Sequence, residues 1–198
     1  MSRSKTIKSK FKAQANQSNG EVRIIGGQMR GRKLKFSGSQ GLRPTLDRIR
    51  ETLFNWLARD IDGSHCLDLF AGSGALGFEA ASRGAEKVTL VEKSSKVSQD
   101  LKSNCQLIKA DNIQVVNFSA EQFLQSNQQK YDLIFLDPPF GQDLLDQTML
   151  LLADSLAANA LLYIEQEKSP QVFIPDDSWL QLKFKQTGSF CYALYQLK

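Results

Sequence analysis

Four consecutive residues, Asp137, Pro138, Pro139 and Phe140, stand directly after the apolar run YDLIFL at 131–136. A strand needs its N–H groups for ladder hydrogen bonds, so the two prolines must end it. The Asp137 carboxylate is then left at the carboxyl edge of the sheet to which the strand belongs. Because ligands of open α/β sheets bind at that edge, these four residues are candidates for chemistry.

A carboxylate followed by a rigid proline carbonyl suits one reaction, methyl transfer to a planar exocyclic amine. The lone pair of such an amine is delocalised into the ring. Two acceptors that hold its hydrogens, the Asp137 carboxylate and the Pro138 carbonyl, favour a more nucleophilic nitrogen, and the prolines fix that geometry. Phe140 can stack on a base swung out of its helix or loop, and Asp137 can take the released proton. We interpret Asp137, Pro138 and Phe140 as catalytic, and Pro139 and Phe140 as substrate-binding; the structural alternative is a plain turn.

A glycine-rich turn lies upstream, in the stretch LDLFAGSGALG at 67–77. Glu92 follows Gly72 by twenty residues, at the end of the next predicted strand, where an acid can hold ribose hydroxyls. A dinucleotide would place its pyrophosphate at the helix N-terminus, whereas S-adenosylmethionine (AdoMet) needs glycines for close backbone approach. The turn alone leaves NAD and AdoMet open, and the Asp-Pro-Pro-Phe motif favours AdoMet. Asp68 either braces this turn, the role that we prefer, or touches the cofactor.

Composition excludes several kinds of chemistry. The chain has 198 residues, enough for one domain with an appendage, and its three cysteines form no C-x-x-C pair, so neither a disulfide framework nor a zinc site is expected. The single histidine, His65, excludes histidine triads and multi-histidine metal sites, and we predict no metal. No apolar run has the roughly 18 residues of a membrane span and no secretory signal is present, which predicts a cytoplasmic protein.

Positive charge is concentrated at the front of the chain. Residues 1–50 hold 13 Lys and Arg against two acids, a net charge of +11, whereas residues 51–198 carry 12 basic and 19 acidic residues, a net charge of −7. This asymmetry predicts contact with a polyanion. We divide the chain into a disordered basic tail (1–20), a basic β-hairpin extension that binds RNA (21–44) and a methyltransferase domain (45–198). The hairpin carries the predicted phosphate-binding residues Arg23, Arg30, Arg32 and Lys33.

The order of elements predicts the fold. Thr45 can cap a helix that runs through residues 46–60, with Leu46, Ile49, Leu53, Trp56 and Leu57 on one face. From residue 65 onward, strands and helices alternate, which is typical of a parallel, doubly wound, Rossmann-like α/β sheet. The final run, residues 179–198, alternates about Gly188-Ser189 and predicts a β-hairpin that gives the sheet an antiparallel edge.

Four stretches together resemble the bacterial small-subunit (16S) ribosomal RNA guanine-N2 methyltransferases of the RsmD type: RIIGGQMRGRKL, GLRPTLDRIRETLFNWL, LDLFAGSGALGFEAASRGA and FLDPPF. The resemblance covers about residues 22–197. It implies a class I AdoMet-dependent methyltransferase whose partner is 16S rRNA, within a small-subunit assembly intermediate. It also implies roles for individual residues: Arg43, Thr45 and Arg48 border the cofactor and the active site; Phe70, Ala71, Gly72, Ser73 and Gly74 line AdoMet; Glu92 grips its ribose; and Asp137 to Phe140 hold guanine. We count Lys93 and Asp137 among the cofactor-binding residues as well.

The chain departs from the class pattern after its third parallel strand. An acid often stands there to meet the adenine amine, but this chain has Ser119 and Ala120, which we take as the cofactor-binding residues at that point, with backbone atoms or Glu121 as the alternatives. Other functions stay open: methylation of adenine N6, cytosine N4 or a protein glutamine amide, NAD-dependent oxidation, or RNA binding without catalysis. Nothing in the sequence indicates an oligomer interface, and we expect a monomer.

Overall fold

The computed structural model describes residues 19–37, 47–139, 144–168, 172–188 and 190–198. Two antiparallel strands are followed by alternating helices and strands. The elements in chain order are β1 (Asn19–Arg23), β2 (Lys33–Ser37), α1 (Asp47–Trp56), β3 (His65–Asp68), α2 (Ala75–Ser82), β4 (Lys87–Val91), α3 (Ser95–Ile108), β5 (Ile113–Val116), α4 (Ala120–Ser126), β6 (Tyr131–Leu136), α5 (Leu144–Leu152), a 3₁₀ turn (Ala153–Ser155), β7 (Leu156–Glu167), β8 (Trp179–Thr187) and β9 (Phe190–Leu197).

The main sheet has seven strands in the order β5-β4-β3-β6-β7-β9-β8. Strands β3 to β7 pair in parallel, and β9 pairs antiparallel with both β7 and β8. This arrangement confirms the predicted Rossmann-like fold and its antiparallel C-terminal hairpin. The chain moves outward from β3 to β5 and then returns to place β6 on the other side of β3. The crevice at this reversal, between the carboxyl ends of β3 and β6, is where such sheets bind ligands.

Both faces of the sheet are covered. One face packs against α1, α2, α3 and the β1–β2 hairpin, and the other packs against α4 and α5. In β6, Leu133 and Phe135 belong to the first layer while Ile134 and Leu136 belong to the second. Burial on both sides explains why this strand is a continuous apolar run rather than an alternating one.

The N-terminal hairpin forms as predicted, with different bounds. Strand β1 pairs with β2 from Asn19 opposite Ser37 to Arg23 opposite Lys33, so pairing begins two residues before the predicted boundary at 21. The predicted tail otherwise lies outside the described residues, as do Arg43 and the proposed helix cap, Thr45. Residues 24–32 connect the strands, and the Ile24 N–H donates to the Arg32 carbonyl while the Gly31 N–H donates to the Ile24 carbonyl, which closes the turn.

Helix α1 ends earlier than predicted. It stops at Trp56, whereas the sequence pattern predicted a helix to residue 60. The N–H groups of Asp60 and Ile61 both donate to the Leu57 carbonyl, which closes the helix with a tighter turn. Ile49, Leu53 and Leu57 are buried as predicted, and the Trp56 ring packs against Tyr192 with centroids 5.4 Å apart. None of the helices in the described ranges is long and apolar enough to cross a membrane.

Candidate active site at the carboxyl edge of the sheet

The glycine turn joins the end of β3 to the start of α2. Gly72 and Gly74 have φ angles of 49° and 77°, a backbone conformation that favours glycine. A Cβ atom on Gly74 would lie 2.6 Å from the Phe78 ring and 2.7 Å from Leu101. The buried Gly74 therefore lets the turn pack closely against α2 and α3, whereas the partly exposed Gly72 leaves backbone within reach of a ligand.

Glu92, directly after β4, holds this turn. One carboxylate oxygen accepts from the Gly72 N–H at 3.0 Å, and the other accepts from the Ser94 N–H at 2.6 Å. The side chain is partly exposed. Because a carboxylate offers about four acceptor positions, Glu92 can accept further hydrogen bonds while it keeps both of these. The structure thus brings Glu92 to the glycine turn, and its contact with ribose stays a prediction.

Asp68, the last residue of β3, holds the same turn through a hydrogen bond from the first turn of α2. Its residue is only 2% exposed, and its carboxylate accepts from the Gly77 N–H at 3.1 Å. Burial raises the pKa of Asp68 to about 7, and hydrogen bonds from the Gly77 and Phe70 N–H groups oppose that shift only in part. The observed contact is the bracing role that we preferred, and a direct contact with AdoMet stays a prediction.

The other predicted cofactor residues lie around this turn and at the start of α4. Phe70 and Gly72 are partly exposed, Lys93 is exposed, and Ala71, Ser73 and Gly74 are buried. The Ser119 hydroxyl accepts from the Gln122 N–H, and the Gln122 side chain accepts from the Ser119 N–H, so Ser119 is the N-cap of α4 in a capping box. The neighbouring Phe118 is 47% exposed. Sequence reasoning missed this residue, although an aromatic side chain two residues after β5, near the carboxyl edge of the sheet, was a visible signal.

Asp137 and the prolines follow β6, and β6 lies next to β3. The Leu69 N–H donates to the Phe135 carbonyl at 3.3 Å, so the glycine turn begins against the strand that ends in Asp137. Asp137 is partly exposed, Pro138 is buried and Pro139 is exposed. Phe140 lies outside the described residues. The two motifs that the sequence singled out therefore meet at one edge of the sheet.

A buried tyrosine and glutamate stand beside Asp137 on the neighbouring strand β7. The Tyr163 hydroxyl donates to the Glu165 carboxylate at 2.9 Å. Burial raises the pKa of Glu165, and burial together with the charges of Glu165 and Asp137 raises the pKa of Tyr163 well above its usual value. Sequence reasoning missed this pair. Glu165 interrupts the apolar run ALLYIEQE at 160–167, and this was the available sign in the sequence that an acid is buried in the strand.

The predicted RNA-binding cations lie on the outer surface of the hairpin and α1. Arg30, Arg32 and Arg48 are exposed. Arg23 lies 3.8 Å from Asp47, and Lys33 lies 2.9 Å from Glu21, both as exposed pairs of small expected stability. These side chains can therefore be reached by a polyanion.

A buried ion pair fixes the hairpin to the domain, and sequence reasoning missed it as well. The Arg50 side chain is 0% exposed and donates to the Arg23 carbonyl and to Asp47. Glu79, on α2, lies 3.6 Å from Arg50 and accepts from the Ile25 N–H at 2.8 Å. Arg50 precedes Leu53 by three positions and Phe54 by four, which places a charged residue on the apolar face of α1. That placement was the only sign in the sequence that a charge is buried here.

Comparison with known proteins agrees with this geometry. The family described as "Conserved hypothetical protein 95" matches residues 22–196. A "Ribosomal RNA small subunit methyltransferase D" from Haemophilus influenzae is 49% identical over 93% of this chain and 98% of its own length. The Escherichia coli K12 protein of the same name is 49% identical over 90% and 91%.

A solved structure supports the same assignment. A putative methyltransferase from Escherichia coli, yhhF, superposes with a TM-score of 0.84 at 46% identity, covering 90% of this chain and 99% of that one. The family match spans most of the chain, and the fold and both motifs agree with it. The chain therefore belongs to the "Conserved hypothetical protein 95" family and is an RsmD-type, class I AdoMet-dependent methyltransferase.

Proposed function

We propose that this protein methylates the exocyclic N2 amine of one guanine in 16S rRNA, with AdoMet as the methyl donor. The observation that carries the proposal is that two motifs lie at one sheet edge. The Leu69 N–H, just before the glycine turn, donates to the Phe135 carbonyl of β6, and Asp137, Pro138 and Pro139 directly follow β6. Relatives of near 50% identity named for small-subunit rRNA support the choice of RNA, and they disfavour an oxidoreductase.

The residues at the turn fit AdoMet. Gly72 is partly exposed and has no side chain to obstruct a ligand, and Glu92 lies beside it with a partly exposed carboxylate. The backbone of residues 70–74 would hold the amino acid part of the molecule, and Glu92 would accept from its ribose hydroxyls. When bound, AdoMet supplies an electrophilic methyl group on a sulfonium.

Asp137 and Pro138 have separate tasks in this proposal. The Asp137 carboxylate and the Pro138 carbonyl each accept one hydrogen of the amine, which directs the nitrogen lone pair out of the base plane. Pro138 is buried, so its carbonyl is fixed by packing as well as by its ring. Asp137 then takes the proton that the methylated nitrogen loses. Catalysis by positioning requires no covalent bond to the protein.

The hairpin supplies the contact with RNA. Arg30 and Arg32 lie on its turn, and exposed arginines that neutralise phosphates bind RNA without reading its sequence. The ion pair between Arg50 and Glu79 holds this turn in a fixed position relative to the glycine turn. We further propose that the enzyme is a cytoplasmic monomer and that its substrate is an assembly intermediate of the small subunit.

The decisive experiment maps the methyl group. Small-subunit particles and naked 16S rRNA, both from cells that lack this protein, are incubated with the protein and with tritium-labelled AdoMet, and the modified nucleoside is identified by mass spectrometry. We expect N2-methylguanosine at a single position, with more product from particles than from naked RNA. Label on adenine, cytosine or protein would overturn the guanine assignment, and no label would overturn the enzyme assignment.

A further inference from the structure

We propose that Glu165 selects guanine by accepting a hydrogen bond from the guanine N1–H, while Asp137 and Pro138 hold the neighbouring N2 amine. This inference rests on the function proposed above and adds a specificity-determining residue to it. The role is carried by the register of β6 and β7, the burial of Glu165, and the chemistry of the guanine edge.

The register places Glu165 next to Asp137. Strands β6 and β7 are parallel, with Phe135 opposite Tyr163 and Leu136 opposite Ile164, so the next residues along are Asp137 and Glu165. Phe135 and Tyr163 share one layer of the core. Glu165 lies on the Tyr163 face, since its side chain accepts from the Tyr163 hydroxyl, and the Asp137 charge also acts on that hydroxyl.

Glu165 is buried without a cation. Its residue is 5% exposed, and among the described parts of the chain its only side-chain hydrogen bond comes from Tyr163. No ion pair in those parts includes Glu165. Burying a carboxylate is costly unless it is paired, and such groups at ligand edges are candidates for function. Tyr163 holds Oε2 and fixes the side chain, which leaves Oε1 for a further donor.

The guanine edge matches these acceptors. Guanine presents two adjacent donors, N1–H and the N2 amine, whereas adenine and cytosine present a ring nitrogen acceptor beside their amines. A carboxylate next to the amine clamp therefore accepts from guanine and faces a lone pair on the other two bases. An unpaired acceptor in a buried site disfavours the wrong base, so Glu165 acts through repulsion as well as attraction.

The test compares two substrates that share the reacting amine. RNA carries either guanine or 2-aminopurine at the target; 2-aminopurine keeps the 2-amine but has an acceptor at N1. We expect the wild-type kcat/KM to favour guanine by about 10- to 100-fold, the effect of one charge-assisted hydrogen bond. Glu165→Gln should reduce this preference by about 10-fold, because its amide NH₂ can donate to the N1 acceptor.

Controls separate specificity from structure. Glu167→Gln, an exposed change on the same strand, is the control and should leave the preference for guanine unchanged. Tyr163→Phe removes the hydroxyl that orients Glu165 and should reduce that preference a few fold. A Glu165 that merely stabilises β7 would lower both rates equally and preserve the ratio. That result, or a wild-type preference near unity, would overturn the inference.

The outcomes also separate this inference from the proposed function. If the wild-type protein fails to methylate guanine N2 at all, the proposed function is wrong. If it methylates guanine but Glu165→Gln and Tyr163→Phe keep the full preference, only the role of Glu165 is wrong. Melting temperature and AdoMet binding show whether Glu165→Gln folds. If it does not fold, the preference of Tyr163→Phe for guanine over 2-aminopurine decides whether Glu165 has the proposed role.

Discussion

Two groups of acidic residues stand at the same edge of the sheet and have different partners. On the cofactor half, Asp68 and Glu92 accept hydrogen bonds from backbone N–H groups of the glycine turn and its flanks. On the substrate half, where Asp137 and Glu165 stand, Glu165 accepts from the hydroxyl of Tyr163. Backbone donors fix a loop in place, whereas a side-chain donor orients a carboxylate and leaves acceptor capacity. The comparison separates acids that hold the glycine turn from acids that, in our proposal, contact the base.

The largest expected effect comes from Asp137→Ala. We expect turnover to fall about 1000-fold, since this change removes one acceptor of the amine and the proton acceptor together. AdoMet affinity should stay within a few fold of wild type, because the glycine turn keeps its own braces. Single-turnover methylation and calorimetry measure the two quantities. Asp146→Ala, on the exposed side of α5, is the control, and near-wild-type methylation by Asp137→Ala would refute the clamp.

Asp68→Asn should alter the pH dependence of stability. The folded protein holds the Asp68 proton up to a pKa of about 7, whereas the unfolded chain releases it near 3.8, so burial of Asp68 destabilises the wild type increasingly as pH rises between these values. Asparagine has no proton to lose and can still accept from Gly77. Relative to wild type, the variant should gain on the order of a few kcal/mol between pH 4 and pH 7.

Urea unfolding across that pH range measures the difference in the free energy of unfolding. The difference should rise to about pH 7 and then level off. Asp111→Asn, an exposed change, should give a profile parallel to wild type. If the Asp68→Asn profile is also parallel to wild type, Asp68 titrates normally and the bracing carboxylate is charged throughout.

Glu92→Gln should weaken AdoMet binding about 10-fold. Glutamine places an NH₂ group where one carboxylate oxygen stood, so either the Gly72 or the Ser94 N–H would face a donor instead of an acceptor. Turnover at saturating AdoMet should change far less than in Asp137→Ala. Calorimetry measures the binding, and Glu86→Gln, an exposed change at the opposite end of β4, is the matched control. If Glu92→Gln and Asp137→Ala lowered turnover by the same factor and AdoMet affinity by the same factor, the two groups of acids would not have different roles.

The smallest effect is expected on the hairpin. Replacing Arg30 and Arg32 by alanine should weaken RNA binding a few fold and reduce the slope of log affinity against log salt by about 0.7 to 0.9 for each phosphate that is no longer neutralised. Lys183→Ala with Lys185→Ala removes the same charge from exposed β8 and should leave the slope unchanged. If both pairs change the slope equally, the effect comes from net charge rather than from the hairpin.

The sequence was informative wherever structure follows from local patterns. Alternating strands and helices predicted the parallel sheet, and Pro138 and Pro139 placed Asp137 at its edge, because chain breakers and periodicity act within a few residues. The same logic put Glu92 against the glycine turn. The C-terminal hairpin was predicted from its alternation about Gly188.

The residues that were missed depend on contacts between distant parts of the chain. Arg50 and Glu79 are 29 positions apart, each a single charge among buried apolar residues of its helix, and only the fold brings them together. Glu165 became notable only when the register of β6 and β7 placed it beside Asp137. Ser119 was assigned to the cofactor from a class pattern, but a capping box also explains a serine there. Local periodicity carries no information on such pairings.

The ion pair between Arg50 and Glu79 constrains how this enzyme can be redesigned. Glu79 belongs to the helix that begins at the glycine turn, and it also accepts from Ile25 in the hairpin. A foreign recognition module grafted in place of the hairpin would remove the Arg23 carbonyl from Arg50 and the Ile25 N–H from Glu79, at a cost of about 1 to 3 kcal/mol for each buried group left unsatisfied. Retargeting should therefore proceed by replacing the outward arginines on the existing scaffold rather than by exchanging the arm.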